Sequence, residues 1–363
     1  MEIQMQFPKF KSLLPAVTLA LLCSCSMFDE EKITLDGERI SVLDGETALQ
    51  PDYAPGQIKV VLPAPYSNAS WSQSGGNAAH MMGHLSSDSK LKELWESGFG
   101  EGSSKRDFLI ATPVSAHKAV FTIDADGIVN AFRLDDGRKI WKRRLKPLIK
   151  DDISTSLKGA GLAVFDKKVY ATTGFGAVFA LDMVTGKNLW RYDTELPIRI
   201  APTAERGVVF VQTIDNKLIA LNGVDGSLLW DYKSPSEDTT LVGGASPAYS
   251  PQQDTIVAAF SNGELRAFKA STGSPLWSDI LVSRKRTNSP ANINAIKANP
   301  VIDGSTVYAV GNNNILVAID LRSGARIWER EIGSINQPWI AGKFMFVLSN
   351  NYDLFAIEKA TGK

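Results

Sequence analysis

The chain has 363 residues, with 39 basic and 39 acidic side chains that cancel in formal charge, and 44% of it is hydrophobic. This composition excludes long disorder, a collagen repeat and a multispan membrane protein; without a basic excess the simplest case for nucleic-acid binding falls too. In chain order, Lys9 and Lys11 lead into an apolar run over residues 13–22, broken only by Pro15 and Thr18. A helix of that length spans about 15 Å, against about 30 Å for a bilayer core. The run is too short to cross. A basic start, a short apolar run and small residues after it describe an export signal over residues 1–24.

Both cysteines follow that run, in Leu22-Cys23-Ser24-Cys25-Ser26. The stretch resembles a bacterial lipobox, where a Leu and two small residues precede the cysteine that is acylated and becomes N-terminal. Cys25 fits, with Ser24 before it, whereas Leu22 is too bulky for the cleavage position of Cys23. The bland readings are two incidental thiols in a discarded peptide, or a redox pair, which would need a folded, electropositive setting. With Cys25 lipidated, the mature chain has no thiol left for a disulfide, a thiolate metal site or a nucleophile. It then carries 37 basic and 38 acidic residues. Several acyl chains on Cys25 give a stable anchor, since one alone binds only marginally. Ser26 resembles the pattern of lipoproteins sent to the outer membrane, so the expected location is its periplasmic face.

Residues 25–70 read as a tether. Eight acidic residues face three basic ones over 26–70, with Pro51, Pro55, Pro63 and Pro65 and no periodicity. Short alternating pieces at 33–35 and 39–42 are candidates for local pairing around Asp36-Gly37.

From Trp71 onward the chain repeats itself. Aligned on tryptophan, the copies are 129–141 (VNAFRLDDGRKIW), 178–190 (VFALDMVTGKNLW), 218–230 (LIALNGVDGSLLW), 265–277 (LRAFKASTGSPLW) and 316–328 (LVAIDLRSGARIW). A further copy begins at Leu354. The marker residues are therefore Trp141, Trp190, Trp230, Trp277 and Trp328, at spacings of 49, 40, 47 and 51 residues. Apolar-x-Ala-apolar is a strand with one face buried; Asp or Asn followed by Thr/Ser/Asp-Gly is a turn; x-x-Leu/Ile-Trp opens the next strand. Upstream hairpins turn at Asp126-Gly127, Gly174-Phe175-Gly176, Asp215-Asn216, Asn262-Gly263, Asn312-Asn313 and Asn350-Asn351. Proline leads an innermost strand at Pro113, Pro202, Pro247 and Pro300. Four strands per unit at this period predict an all-β propeller over 71–363. Residues 90–95, ending in Trp95, carry the end of the motif without its beginning and are expected to donate an outermost strand to the last blade. The final copy stops in mid-motif, so about six blades are expected here and some eighty further residues in the natural protein.

The repeat A-L-D-x-x-T-G-x-x-L-W resembles the quinoprotein (PQQ-like) propeller repeat from Trp95 to Lys363. With the lipobox, the tether and Trp71-Ser-Gln-Ser-Gly-Gly-Asn-Ala-Ala-His80, the chain resembles the BamB family of outer-membrane assembly lipoproteins, its α-proteobacterial members in particular. The resemblance implies eight blades, no cofactor, and docking on the periplasmic POTRA domains of BamA and other Bam components through loops between neighbouring blades. Those loops correspond to 233–246 and 283–299. The family's leucine there matches Leu241, near Thr239, but Val242 stands where the family has arginine. Its acidic pair falls near Ala295 and Lys297, so charge is absent or reversed. Arg284-Lys285-Arg286 is a basic run that either meets acidic POTRA surface or is a solvated loop face.

The same repeat builds quinone-dependent dehydrogenases, which need a quinone in the axial channel, a Ca²⁺ held by oxygen ligands and an Asp base. The mature body has no Cys pair, and its acids fall mostly at turns, as at Asp135, Asp136 and Asp182. An enzyme is not expected. His80 and His84 would share a helix face for a metal, but Gly75, Gly76 and Gly83 argue for a loop, and no third ligand is nearby. A third reading is a generic periplasmic peptide or glycan binder. Either binder could capture an unfolded β-barrel client by pairing with an exposed strand edge.

Overall fold

A computed structural model describes residues 51–363, apart from 55, 89, 106–107, 149–158, 238–241 and 282–293. Among the described residues the chain is all β, with twenty-three strands in six antiparallel sheets that follow one another as propeller blades. The first blade is β1 (Val114–Ala116), β2 (Ala119–Ile123), β3 (Ile128–Arg133) and β4 (Lys139–Arg144). The second is β5 (Gly159–Phe165), β6 (Lys168–Thr173), β7 (Ala177–Asp182) and β8 (Asn188–Asp193), and the third β9 (Thr203–Glu205), β10 (Val208–Gln212), β11 (Lys217–Asn222) and β12 (Leu228–Lys233). The fourth is β13 (Ala248–Ser250), β14 (Thr255–Ala259), β15 (Glu264–Lys269) and β16 (Pro275–Ile280). The fifth is β17 (Val301–Asp303), β18 (Thr306–Val310), β19 (Leu316–Asp320) and β20 (Arg326–Arg330). The sixth has three strands, β21 (Trp339–Ala341), β22 (Phe344–Leu348) and β23 (Leu354–Glu358). Each proline expected to lead an innermost strand does so, and Pro338 does the same before β21.

The repeat motif is explained by its register. In five blades the motif alanine pairs directly with the tryptophan across the outer hairpin: Ala131 with Trp141, Ala180 with Trp190, Ala220 with Trp230, Ala267 with Trp277 and Ala318 with Trp328. A large ring beside a methyl group packs without crowding. A β-bulge follows each alanine, and the extra residue is the Leu or Ile before the tryptophan. These residues (Ile140, Leu189, Leu229, Leu276 and Ile327) are consequently 46–51% exposed. The apolar position that reads as a core residue is the unpaired residue of a bulge.

Each tryptophan then reaches the following blade. Its ring lies over the turn glycine there, and its indole Nε1 donates to the carbonyl three residues before that glycine. The indole bonds run to Leu134, Met183, Gly223, Ala270, Leu321 and Lys359 from Trp95, Trp141, Trp190, Trp230, Trp277 and Trp328, at 2.7–3.2 Å. The turn is held by its own side chains as well. Asp182 Oδ1, for instance, accepts from the backbone N–H of Thr185 at 2.7 Å and from its hydroxyl at 2.7 Å, which holds the carboxyl below its ordinary range.

Trp95 occupies this docking position on the first blade, yet residues 90–98 form no strand. Leu91 and Leu94 are 88% and 85% exposed. The expected donated strand is therefore not formed: its tryptophan finds a turn to rest on, while its backbone finds no neighbouring strand.

A feature absent from the repeat lies against the innermost strands. Residues 71–84 run past the innermost strand of every blade. Trp71 exchanges two backbone bonds with Ser115, and Val164 N–H donates to Ser72 O at 2.7 Å. The Gln73 amide grips both backbone groups of Ala204, accepting from its N–H at 2.9 Å and donating to its carbonyl at 3.3 Å. Tyr249 N–H donates to Ala78 O and Ile302 N–H to Ala79 O. Against the sixth blade, Gln337 donates to His80 O, Trp339 Nε1 to Gly83 O, and Trp71 stacks on Trp339 at 6.1 Å. The segment before residue 71 reaches the last two blades: Asp52 pairs with Arg330 of the fifth at 3.0 Å, and Pro63 lies against Gly342 of the sixth.

Candidate functional site

The export signal, Cys25 and the pieces at 33–42 lie outside the described residues, as do Thr239, Leu241, Arg284, Lys285 and Arg286. What is described is how the two interblade connections are rooted and what their inner ends enclose.

The first connection leaves β12 over the hairpin turns of blades three and four. Asn216, in the left-handed region at φ 65°, donates from its amide to Pro235 O at 2.7 Å, and Asn262 donates to the same carbonyl at 3.1 Å. Asn216 Oδ1 also accepts from Ser261 N–H at 3.1 Å, which ties the two blades together under the loop. The returning end is fixed as firmly: Ser246 N–H donates to Asn299 Oδ1 at 2.7 Å, and Thr203 Oγ1 to Pro247 O at 2.6 Å. The second connection is held by Asn313, whose amide donates to Leu281 O, and returns through Ile296 to Phe260 O. The turn asparagines read as hairpin signals thus also anchor the loops.

Between these roots is a hollow of ≈ 50 Å³ bordered by Arg199, Gln212, Gly243, Gly244 and Lys297. Val242, which precedes Gly243 in the chain, is 48% exposed. Gly243 has φ +87°, and a Cβ there would lie 3.7 Å from Lys297 Cε and 4.0 Å from Arg199 O. It therefore lies between the two basic residues. A Cβ on Gly244 would sit 2.9 Å from Ile200 Cγ2, so this stretch presses flat on the preceding connection. Of the expected partner-binding residues, Lys297 borders the hollow, as does the buried Ala295, while Val242 is the exposed residue that precedes Gly243 in the chain.

Arg199 and Gln212 were not legible as site residues. Gln212 donates to Ala259 O at 3.2 Å, while its Oε1 and Arg199 Nε are buried without partners among the described residues. The one sequence signal for Arg199 is its place as a charge within the apolar stretch Pro197-Ile198-Arg199-Ile200-Ala201. A second hollow of ≈ 100 Å³, which also touches Thr213, is lined by Asp193, Glu195 and Asp215 together with Lys217. Asp215 is paired with Lys233 at 2.9 Å, and Asp193 with Arg191.

The histidines do not converge. His80 Nδ1 lies 2.7 Å from Pro300 O and His84 Nδ1 2.6 Å from Pro63 O, each on a loop. Among the described residues no three His, Cys, Asp or Glu side chains are grouped to hold a metal ion.

The family model described as outer membrane protein assembly factor BamB matches residues 125–363. The chain belongs to the BamB family. A BamB of Shewanella oneidensis is 26% identical over 97% of this chain and 78% of its own length. Another, of Vibrio cholerae, is 30% identical over 71% and 65%, and one of Moranella endobia is 25% identical over 75% and 71%. The crystal structure of BamB from Moraxella catarrhalis superposes with a TM-score of 0.61 at 19% identity, over 73% of this chain and 77% of that one. A quinohemoprotein alcohol dehydrogenase from Comamonas testosteroni gives 0.55 at 17%, over 81% and 52%. Both structures share the propeller fold of this BamB-family chain.

Proposed function

We propose that the chain is a non-enzymatic scaffold lipoprotein of outer-membrane β-barrel assembly, anchored through Cys25 on the periplasmic face. In this reading it docks on the POTRA domains of a BamA-type protein through the connections after the third and fourth blades. Family membership supports the assembly role. The observation that supports the non-enzymatic part is the course of residues 71–84. A quinone would need the axial channel, and the chain's own residues 71–84 bond to the innermost strands. The residues present do not fit that cofactor. The hydrogen-bonded ends of these connections support the docking reading, with Val242 on the first and Lys297 on the second.

The test is capture from detergent-solubilised membranes. The tagged lipoprotein is expected to recover a BamA-like barrel protein, and Cys25→Ala to abolish lipid labelling and membrane association. Reversing the charges of Arg284, Lys285 and Arg286 should weaken capture in a salt-sensitive way. Reproducible recovery of no barrel protein would favour the generic peptide or glycan binder, and lipid labelling that persists without Cys25 would refute the anchor.

A further inference from the structure

We propose that the hollow between Arg199, Gln212 and Lys297 seats an acidic side chain of the docking partner together with an adjoining main-chain N–H. The inference rests on the docking reading and adds the chemistry of what docks.

Buried polar atoms in folded proteins are almost always paired. Two that are not, a guanidinium donor at Arg199 Nε and an amide acceptor at Gln212 Oε1, belong to residues that both line this one hollow. The orientation of Gln212 is fixed because its nitrogen donates to Ala259 O, so the oxygen is the atom left over. Lys297 supplies a second positive charge, with no hydrogen bond or ion pair from its side chain among the described residues. The nearby carboxylates Asp215 and Asp193 do not answer these cations; they are taken by Lys233 and Arg191. Gly243 and Gly244 put no side chain over the opening.

The occupant follows from these needs. An anion with no proton to donate, such as chloride or sulfate, would meet the cations and leave Gln212 Oε1 unsatisfied, and an apolar side chain would meet neither. An Asp or Glu within a peptide offers a carboxylate to Arg199 and Lys297 and an N–H to Gln212. At ≈ 50 Å³ the space suits the tip of one side chain, whereas small-molecule sites run to about 300–1,000 Å³. Charge-assisted bonds from an arginine to a carboxylate are among the stronger polar contacts available to an interface.

The experiment measures binding of purified BamA periplasmic domains to the intact chain in wild type, Arg199→Ala, Lys297→Ala, the double variant and Gln212→Glu. The last places an internal carboxylate beside Arg199. Thermal unfolding midpoints equal to wild type show that each variant is folded, and Arg199→Lys should recover part of the binding. Each single alanine variant is expected to weaken binding about tenfold at low salt, with a smaller loss at high salt. Wild-type binding that the variants retain in full overturns the inference and leaves the docking reading standing. If wild type does not bind these domains, the docking reading fails. The hollow is then judged by titration with N-acetyl-aspartate N-methylamide. Amide shifts at Gly243 and Gly244 that vanish in the double variant support the seat; no shift overturns it.

Discussion

His80 shows how one residue of the 71–84 segment ties its protonation to the fold. It is 2% exposed, and its Nδ1 donates to Pro300 O, which leaves Nε2 buried without a partner. Protonating that nitrogen would create a buried, unpaired N–H on a cation. Burial accordingly pushes the pKa down to about 4 from 6.5, against the Pro300 carbonyl, which favours the charged form. Because the folded value lies below the unfolded one, the unfolded chain takes up the extra proton in the window between them. Stability is full above pH 6.5 and falls as the pH drops toward 4. About 2 kcal/mol should be lost between pH 7.5 and pH 5 from this group. Urea unfolding of wild type and His80→Gln at both pH values checks this: the variant should show a smaller loss. An equal loss in both would place the proton elsewhere. In the sequence His80 is visible only as a histidine beside glycines. The carbonyl it meets is 220 residues away and has no local signature.

At the scale of elements, the contact between blades is a tryptophan lying on a glycine. The repeat made both residues legible, because a Trp every 40–51 residues and a Gly at a fixed offset before it can be read directly. That the two meet across blades could not be read, since the glycine touching a given tryptophan belongs to the next copy. Trp190 touches Gly226, not Gly186. The bulge was hidden for a related reason. Alternation assigns the residue before each tryptophan to a face, and only the register shift exposes it. The turn glycine therefore answers two demands, a left-handed backbone and an open face for the ring. Two glycines separate these demands. Gly226 has φ +77°, with a Cβ that would fall 2.6 Å from the Trp190 ring, whereas Gly207 has φ +78° and nothing within 4 Å. Gly207→Ala should cost about 1 kcal/mol for the backbone alone. Gly226→Ala should cost about 3 kcal/mol, since the indole must also move off its seat. Chemical denaturation with indole fluorescence measures both. Equal losses would show that the tryptophan contributes nothing to the glycine requirement.

For the whole described body the question is why a row of similar blades behaves as one object. In a repeat array each unit touches only its neighbours, so stability is a sum of local terms and ends can fray independently. The neighbouring innermost strands do touch in this order: β1 with β5, β5 with β9, β9 with β13, and β13 with β17. Residues 71–84 add a second kind of connection, because one short segment bonds to the inner strand of the first blade and also to the sixth. Its residues carry no repeat signal, which is why the sequence motif locates the blades and leaves the hub unseen. The hub makes a distinct claim about cooperativity. Gln73→Ala removes the partner of both Ala204 backbone groups, and Trp71→Ala removes the stack on Trp339. If the segment couples the blades, the double variant should raise amide hydrogen exchange together at β1, β9, β13 and β17, including strands that neither side chain touches. If blades are held only by their neighbours, exchange should rise at β9 and near Trp71 and Trp339 while β13 and β17 stay protected. That pattern would remove the hub. Coupled opening would mean that a segment outside the repeat, laid against the innermost strands, holds the fold together.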